Sequence, residues 1–248
     1  MDNHSSWFHP PAELILPEDE VHVWRASLNL PGWKVQILKQ ILDAEELRQA
    51  GRFWFERDRI HYIVARGLLK SILSRYLSIE PGQLRVDYND YGKPILRSKP
   101  GQVDIKFNLS HSGTLALFAV TYNREVGIDL EQLRSDFDYR QVAENYFSAN
   151  EKDKLRSFPD AVGYHAFFNC WTRKEAYIKG KGKGLSIPLA DFDVSIAPGE
   201  PARLLCTKGE PDEALNWRLQ EFTLDPGYIA ALAVRGHGWQ LKLWQWLD

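Results

Sequence analysis

The sequence predicts an α+β fold made of two related halves, and three observations carry that expectation. Helix-like patterning gives way to strand-like patterning twice, first over 42–131 and again from 139 to the end of the chain. The segments Gly113–Val120 (GTLALFAV) and Gly227–Val234 (GYIAALAV) share four of eight positions, and a Phe-x-Leu segment precedes each, at Phe107 and Phe222. The chain has 248 residues, 44% of them hydrophobic, with nine Trp, ten Tyr and twelve Phe, so it can fill one large core or two modest ones. The expected division is 1–122 and 123–248, with the functional site at the junction.

The segment from Leu42 to Tyr76 reads as two helices broken near Gly51. Asp43 can cap the first, with Glu46 in capping-box position. In the second, Ile60, Val64, Leu68, Ile72 and Tyr76 recur every four residues as an apolar stripe. Arg59, Arg66 and Lys70 fall off that stripe, which predicts a solvated basic face. After Pro81 the pattern predicts strands at Ile105–Leu109, Leu115–Val120 and Val126–Glu131. Helices are predicted over Tyr139–Phe147 and Ala161–Lys179, and strands at Tyr228–Val234 and Leu241–Trp246.

Composition narrows the class of partner. Thirty-one basic against thirty-three acidic residues give a formal charge of -2, without the overall positive field of a nonspecific nucleic-acid binder. No run of about 18 apolar residues suggests a membrane span. Two cysteines, Cys170 and Cys206, are too few for a disulfide scaffold, so a reducing, cytoplasmic setting is expected.

Three segments carry chemistry. In VGIDLE, Asp129 and Glu131 lie two apart in a strand and so face the same way, opposite Ile128 and Leu130. Two like charges on a buried strand call for a compensating cation, and magnesium binds carboxylate oxygens together with substrate phosphates; a solvated strand end paired with lysines is the other reading. In FFNCWTRKEAYIKGKGKGLSIPL, Trp171, Glu175 and Lys179 are spaced four apart on one helix face. Lys179, Lys181 and Lys183 then alternate with Gly180, Gly182 and Gly184, as a phosphate-binding or simply flexible loop would; the pattern is not a P-loop. In FNLSHSG, His111 between Ser110 and Ser112 is expected to leave a strand for a turn and to offer donors to a phosphate. Adjacent residues of an extended chain point apart, which disfavours a serine nucleophile with a neighbouring histidine base.

In their order, YGKP at 91–94, FNLSHSG, VGIDLE and WTRKEAYIKGKGKGLSIPL resemble the signature of the surfactin-type 4'-phosphopantetheinyl transferases, over most of the chain from Leu42 to the terminal strands. The resemblance implies a pseudo-twofold duplicated fold that encloses coenzyme A between its halves. It implies transfer of phosphopantetheine from coenzyme A to a serine of an apo acyl or peptidyl carrier protein of fatty acid, polyketide or nonribosomal peptide synthesis. Residue by residue, it implies magnesium on Asp129, Glu131 and Glu175; coenzyme A contacts at Lys93, Pro94, Ser110, His111 and Lys179; and catalytic roles for Glu175, Lys179 and His111. His61 stands where the family commonly has arginine, leaving Arg57, Arg59 or Arg66 to supply that charge. With both halves in one chain, a monomer is expected. The basic excess over 48–75 and 179–183 is the expected docking surface for an acidic carrier. The same residues would also suit a magnesium-dependent phosphoryl or nucleotidyl transferase with another donor, or a noncatalytic coenzyme A or carrier-binding module.

Overall fold

Strands with large apolar residues on both sides must be covered on both faces, and that requirement organises the molecule. The computed structural model describes residues 6–96, 104–134, 136–222 and 224–247. Its elements begin with β1 (Glu20–Ser27), α1 (Gly32–Ile41), α2 (Ala44–Ala50) and α3 (Glu56–Leu77). A small hairpin, β2 (Asp87–Tyr88) and β3 (Pro94–Ile95), leads to β4 (Ile105–Ser112) and β5 (Leu115–Tyr122). Next come β6 (Val126–Gln132), α4 (Tyr139–Tyr146), α5 (Ala149–Arg156) and α6 (Asp160–Lys181). The chain continues through β7 (Phe192–Val194), β8 (Leu204–Thr207), β9 (Trp217–Glu221), β10 (Tyr228–Arg235) and β11 (Gln240–Gln245).

The two larger sheets are a four-stranded one in the order β11-β1-β5-β4 and a three-stranded one in the order β6-β10-β9, beside the two-stranded pairs β2-β3 and β7-β8. The repeated octapeptides form the inner strands of the two sheets, β5 and β10, and a 22-residue helix precedes each, α3 and α6. Ala116, Phe118 and Val120 of β5 pack with α3, while Leu115, Leu117 and Ala119 point the other way. In β10, Ala231 and Ala233 pack toward α6, while Ala230, Leu232 and Val234 meet the reverse face of β5. Each strand thus serves two cores, and the two sheets share the middle one. The fold is a duplicated α+β architecture, as its sequence predicts.

The strands and helices predicted from sequence are present, with ends moved by one to three residues. Asp43 caps α2 with the full capping box, its Oδ1 accepting the amides of Glu45 and Glu46 at 3.0 Å while Glu46 accepts the Asp43 amide. Ser148 does the same for α5, with Glu151. Ser148→Ala is expected to cost about 1 kcal/mol, read by urea denaturation. β1 and α1 lay outside the predicted elements; α1 buries only Val35 and Leu38, too few to write a stripe. Among the described residues, no helix is long and apolar enough to cross a membrane.

The predicted basic face of α3 needs correction. Arg66 and Lys70 are buried, at 5% and 0% exposure. Arg66 donates to Glu46 Oε1 from Nε and Nη2, at 3.1 and 3.0 Å, and Lys70 Nζ lies 2.5 Å from Glu46 Oε2. A carboxylate buried at 5% between two cations explains why both charges can leave water.

Candidate functional site

The junction between the sheets is joined by side chains rather than by a backbone ladder. Asn108, Ser110 and Ser112 project from one face of β4, and each accepts a backbone amide of β6: Ile128 N–H at 2.9 Å, Leu130 N–H at 3.3 Å and Gln132 N–H at 3.0 Å. Strand periodicity sets this spacing of two on both strands. His111 is therefore a strand residue pointing the opposite way, not the loop histidine expected. Asn108→Leu would leave the buried Ile128 amide without a partner and is expected to cost about 1–3 kcal/mol, measured by denaturant unfolding.

The same register places the acidic pair. Ser110 Oγ donates to Asp129 Oδ1 at 3.0 Å, and Ser112 Oγ to Glu131 Oε2 at 3.2 Å, so both carboxylates leave one face of β6 as predicted. Gly127, two residues before Asp129, faces α6 so closely that a Cβ there would stand 2.0 Å from Ala176 O. This close approach brings the α6 side chains Glu175 and Lys179 onto the pair. Lys179 Nζ lies 2.5 Å from Asp129 Oδ1 and 3.1 Å from Ser110 Oγ. Arg173 and Lys174 turn inward instead: Arg173 holds Ser195 O at 2.7 Å, and Lys174 pairs with Glu151 at 2.8 Å in the core.

Three carboxyls around one ammonium leave negative charge in excess. Burial first, then Asp129, pushes the Glu131 carboxyl up, and the same two causes push Glu175 up to about 7, with Lys179 opposing and Glu131 adding to the effect. Asp129 is only 3% exposed, and its Oδ2 has no hydrogen-bond partner. Among the described residues, no three His, Cys, Asp or Glu side chains are gathered closely enough to hold a metal ion. The chemistry of the set still fits a hard cation: an orphaned carboxylate oxygen and two carboxyls that ionise reluctantly all gain from positive charge.

Beside this cluster, two concavities of about 520 Å³ each meet at Tyr62 and His111, between α3 and β4. One is walled by Asp43, Glu45, Glu46, Arg66, Tyr88 and Pro94; the other by Phe53, Arg57, His61, Ser112, Gln132 and Arg134. His111 is open to water at the meeting point. The protein around it nevertheless weakens its charged form, and the positive charge of Lys179 adds to that, so its proton affinity is lowered. His61 Nε2 lies 3.2 Å from Asn29 Oδ1, and burial with nearby Arg57 lowers it as well. Arg66 reaches the wall with its Nε and Nη2 already donated to Glu46.

Other predicted residues stand elsewhere. Ser110 is 8% exposed and fully engaged in the sheet junction, and Lys93 lies outside the lining of both concavities. The expected Lys-Gly loop is shorter than its sequence suggests, because α6 continues to Lys181, whose Nζ reaches Glu213 at 2.6 Å. Of the expected docking charges, Arg48, Arg57 and Arg59 are exposed but paired with Glu45, Asp58 and Glu56. Arg57, one of the three arginines expected to supply the charge absent at His61, does line the second concavity, whereas Arg134 was missed; it follows VGIDLE by three positions, and that proximity was the available signal.

Comparison with known proteins agrees with this geometry. A family profile described as "4'-phosphopantetheinyl transferase superfamily" matches residues 125–233, and one described as "4'-phosphopantetheinyl transferase, N-terminal" matches 24–123. The chain is 42% identical over 241 residues to the 4'-phosphopantetheinyl transferase HetI of Nostoc sp., covering 97% of this chain and 98% of that protein. It is 32% identical to the 4'-phosphopantetheinyl transferase psf-1 of Bacillus pumilus, covering 82% of each. With the 4'-phosphopantetheinyl transferase Sfp of Bacillus subtilis it shares 28% identity, over 78% of this chain and 82% of the relative. A duplicated α+β scaffold, carboxylates and a lysine gathered beside a cleft at its junction, and matches spanning both halves have one common meaning: the chain belongs to the surfactin-type branch of the 4'-phosphopantetheinyl transferase superfamily.

Proposed function

We propose that this protein transfers the 4'-phosphopantetheine group of coenzyme A to a serine of an apo acyl or peptidyl carrier protein, releasing adenosine 3',5'-bisphosphate, and that it works as a cytoplasmic monomer. The observation that carries the reading is the meeting of Asp129, Glu131, Glu175 and Lys179 at the joint of the two sheets, linked through the Ser112–Glu131 hydrogen bond to a concavity that Ser112 lines. Asp129, Glu131 and Glu175 would hold magnesium there, an ion that offsets charge on the diphosphate. The orphaned Oδ2 of Asp129 supports that assignment.

Each remaining role follows from position. Arg57 and Arg134 supply positive charge in the second concavity, where anionic groups of the donor are best received. His111, at the meeting point, donates a hydrogen bond to a phosphate oxygen, and Lys179 beside it adds a fixed charge. The serine oxygen attacks the β-phosphorus, the bond to the bridging oxygen breaks, and the serine proton must leave. Glu175, as one of the carboxylates that would hold the ion, is a weakened base there, so that proton passes to water. Incubation with coenzyme A, magnesium and a purified apo carrier tests the reading: one phosphopantetheine mass on the serine is expected, and coenzyme A binding without that gain across several carriers would leave only a binding module.

Glu175 also predicts a dependence of stability on pH. Its folded-state value of about 7 exceeds the ordinary 4.5, so the folded protein holds that proton more tightly than the unfolded chain. Stability therefore falls as pH rises through this window, and the penalty is complete above it. Glu175→Gln removes the penalty. In EDTA the variant is expected to melt above the parent at pH 8 and level with it at pH 4, measured by circular dichroism.

A further inference from the structure

Lys93 belongs to the YGKP segment, whose resemblance implies a coenzyme A contact, yet its side chain leaves the cleft. Gly92 and Pro94 line the first concavity, whereas the side chain of the residue between them reaches away toward α6 and β6. There the ammonium, on a side chain only 10% exposed, donates to Gly180 O at 3.0 Å and Val126 O at 3.1 Å, with Glu125 Oε2 at 3.4 Å. Gly180 directly follows Lys179 in α6, and Val126 stands three residues before Asp129 in β6. One charged group thus ties together the hairpin, the strand that carries two carboxylates and the helix that carries the third.

Asn89 completes the joint. Its Nδ2 donates to Gly182 O at 2.7 Å, while its Oδ1 accepts the amides of Tyr91 at 3.0 Å and Lys93 at 2.9 Å. Gly182 has φ +69 and ends α6; a Cβ there would meet Lys93 Cδ at 3.1 Å and Asn89 Nδ2 at 3.3 Å. Helix carbonyls at a C-terminus lack partners within the helix and favour a nearby cation, so the two side chains supply what the end of α6 needs. We propose that Lys93 and Asn89 form a clasp that fixes the C-terminal turn of α6 against β6, making Lys93 a positioning residue for Glu175 and Lys179 and not a coenzyme A ligand.

The clasp rests on the transfer reading for its effect on rate, but its structure can be tested without transfer. In Lys93→Met and Asn89→Ala, amide exchange over 178–182 is expected to rise about tenfold as the last turn of α6 opens more often. Coenzyme A affinity, measured by calorimetry on the complete protein, is expected to stay within about twofold, because no ligand contact is lost. Under saturating coenzyme A, kcat for an apo carrier is expected to fall about tenfold, since misplaced groups cost rate more than binding. Unchanged exchange over 178–182 in both folded variants would overturn the clasp. So would a Lys93→Met loss of about tenfold in coenzyme A affinity with kcat retained, which would mark a ligand contact. Should the parent prove to transfer nothing, exchange and calorimetry still decide the clasp separately; should Lys93→Met fail to fold, Asn89→Ala supplies the same readouts.

Discussion

Asp129→Asn is expected to lower kcat/KM for carrier modification by on the order of 10²–10³-fold while leaving the protein folded. Asparagine keeps the shape and an oxygen for Ser110 and Lys179 but removes the charge at a position 3% exposed, where water cannot replace it. The lost charge is the one that offsets Lys179 and, with Oδ2 unpartnered, the one best placed to draw in a cation. Glu175→Gln is expected to reduce transfer comparably, and the contrast between the two variants is informative. The glutamine variant gains stability above pH 7 as it loses activity, because the penalty for ionising Glu175 exists only in the functional protein. Raising magnesium should recover part of the loss if ion binding is the damaged step. Near-parental kcat/KM in both variants, with the magnesium response unchanged, would remove these carboxylates from the reaction.

Gly127→Val should be the most damaging single change to the fold near the site. Even a Cβ would stand 2.0 Å from Ala176 O and 2.2 Å from Gly180 N, and both are backbone atoms that no rotamer change can move aside. The strand and helix must separate, which is expected to cost on the order of 3 kcal/mol or more by urea denaturation. Because Glu175 and Lys179 ride on the helix that moves, transfer should be lost even at temperatures where the variant remains folded. Gly180→Ala gives a milder comparison, since its Cβ meets the Trp217 ring at 2.6 Å and Gly127 N only at 3.4 Å. A Gly127→Val protein that melts with the parent would show that α6 can shift without strain.

Local signals were legible in the sequence and long-range pairings were not. The capping box at Asp43 and Glu46, the shared face of Asp129 and Glu131, and the spacing of Glu175 and Lys179 each depend on separations of four residues or fewer, where helix or strand geometry fixes the answer. The duplication was readable for a related reason: both inner strands must be apolar on two faces, so they came to look alike. The burial of Arg66 and Lys70 could not be read, because their partners Glu46 and Asp43 lie 20 and 27 residues away. The partners of Ser110 could not be read for the same reason. A serine beside a histidine suggests ligand chemistry, and nothing nearby in sequence reveals that the Leu130 amide and Asp129 occupy its hydroxyl.

The pairing of β1 with β11 bears on how the protein is made. β1 forms early in synthesis, but one of its edges is covered by residues 240–245, more than two hundred positions later and in parallel register, Glu20 opposite Gln240 and Arg25 opposite Gln245. Until that last strand has left the ribosome, β1 presents a row of free amides and carbonyls to any other nascent chain. Helices α1 to α3 and the β4–β5 hairpin can assemble as they emerge, yet the sheet they rest on must wait with an open margin, a vulnerable interval for aggregation.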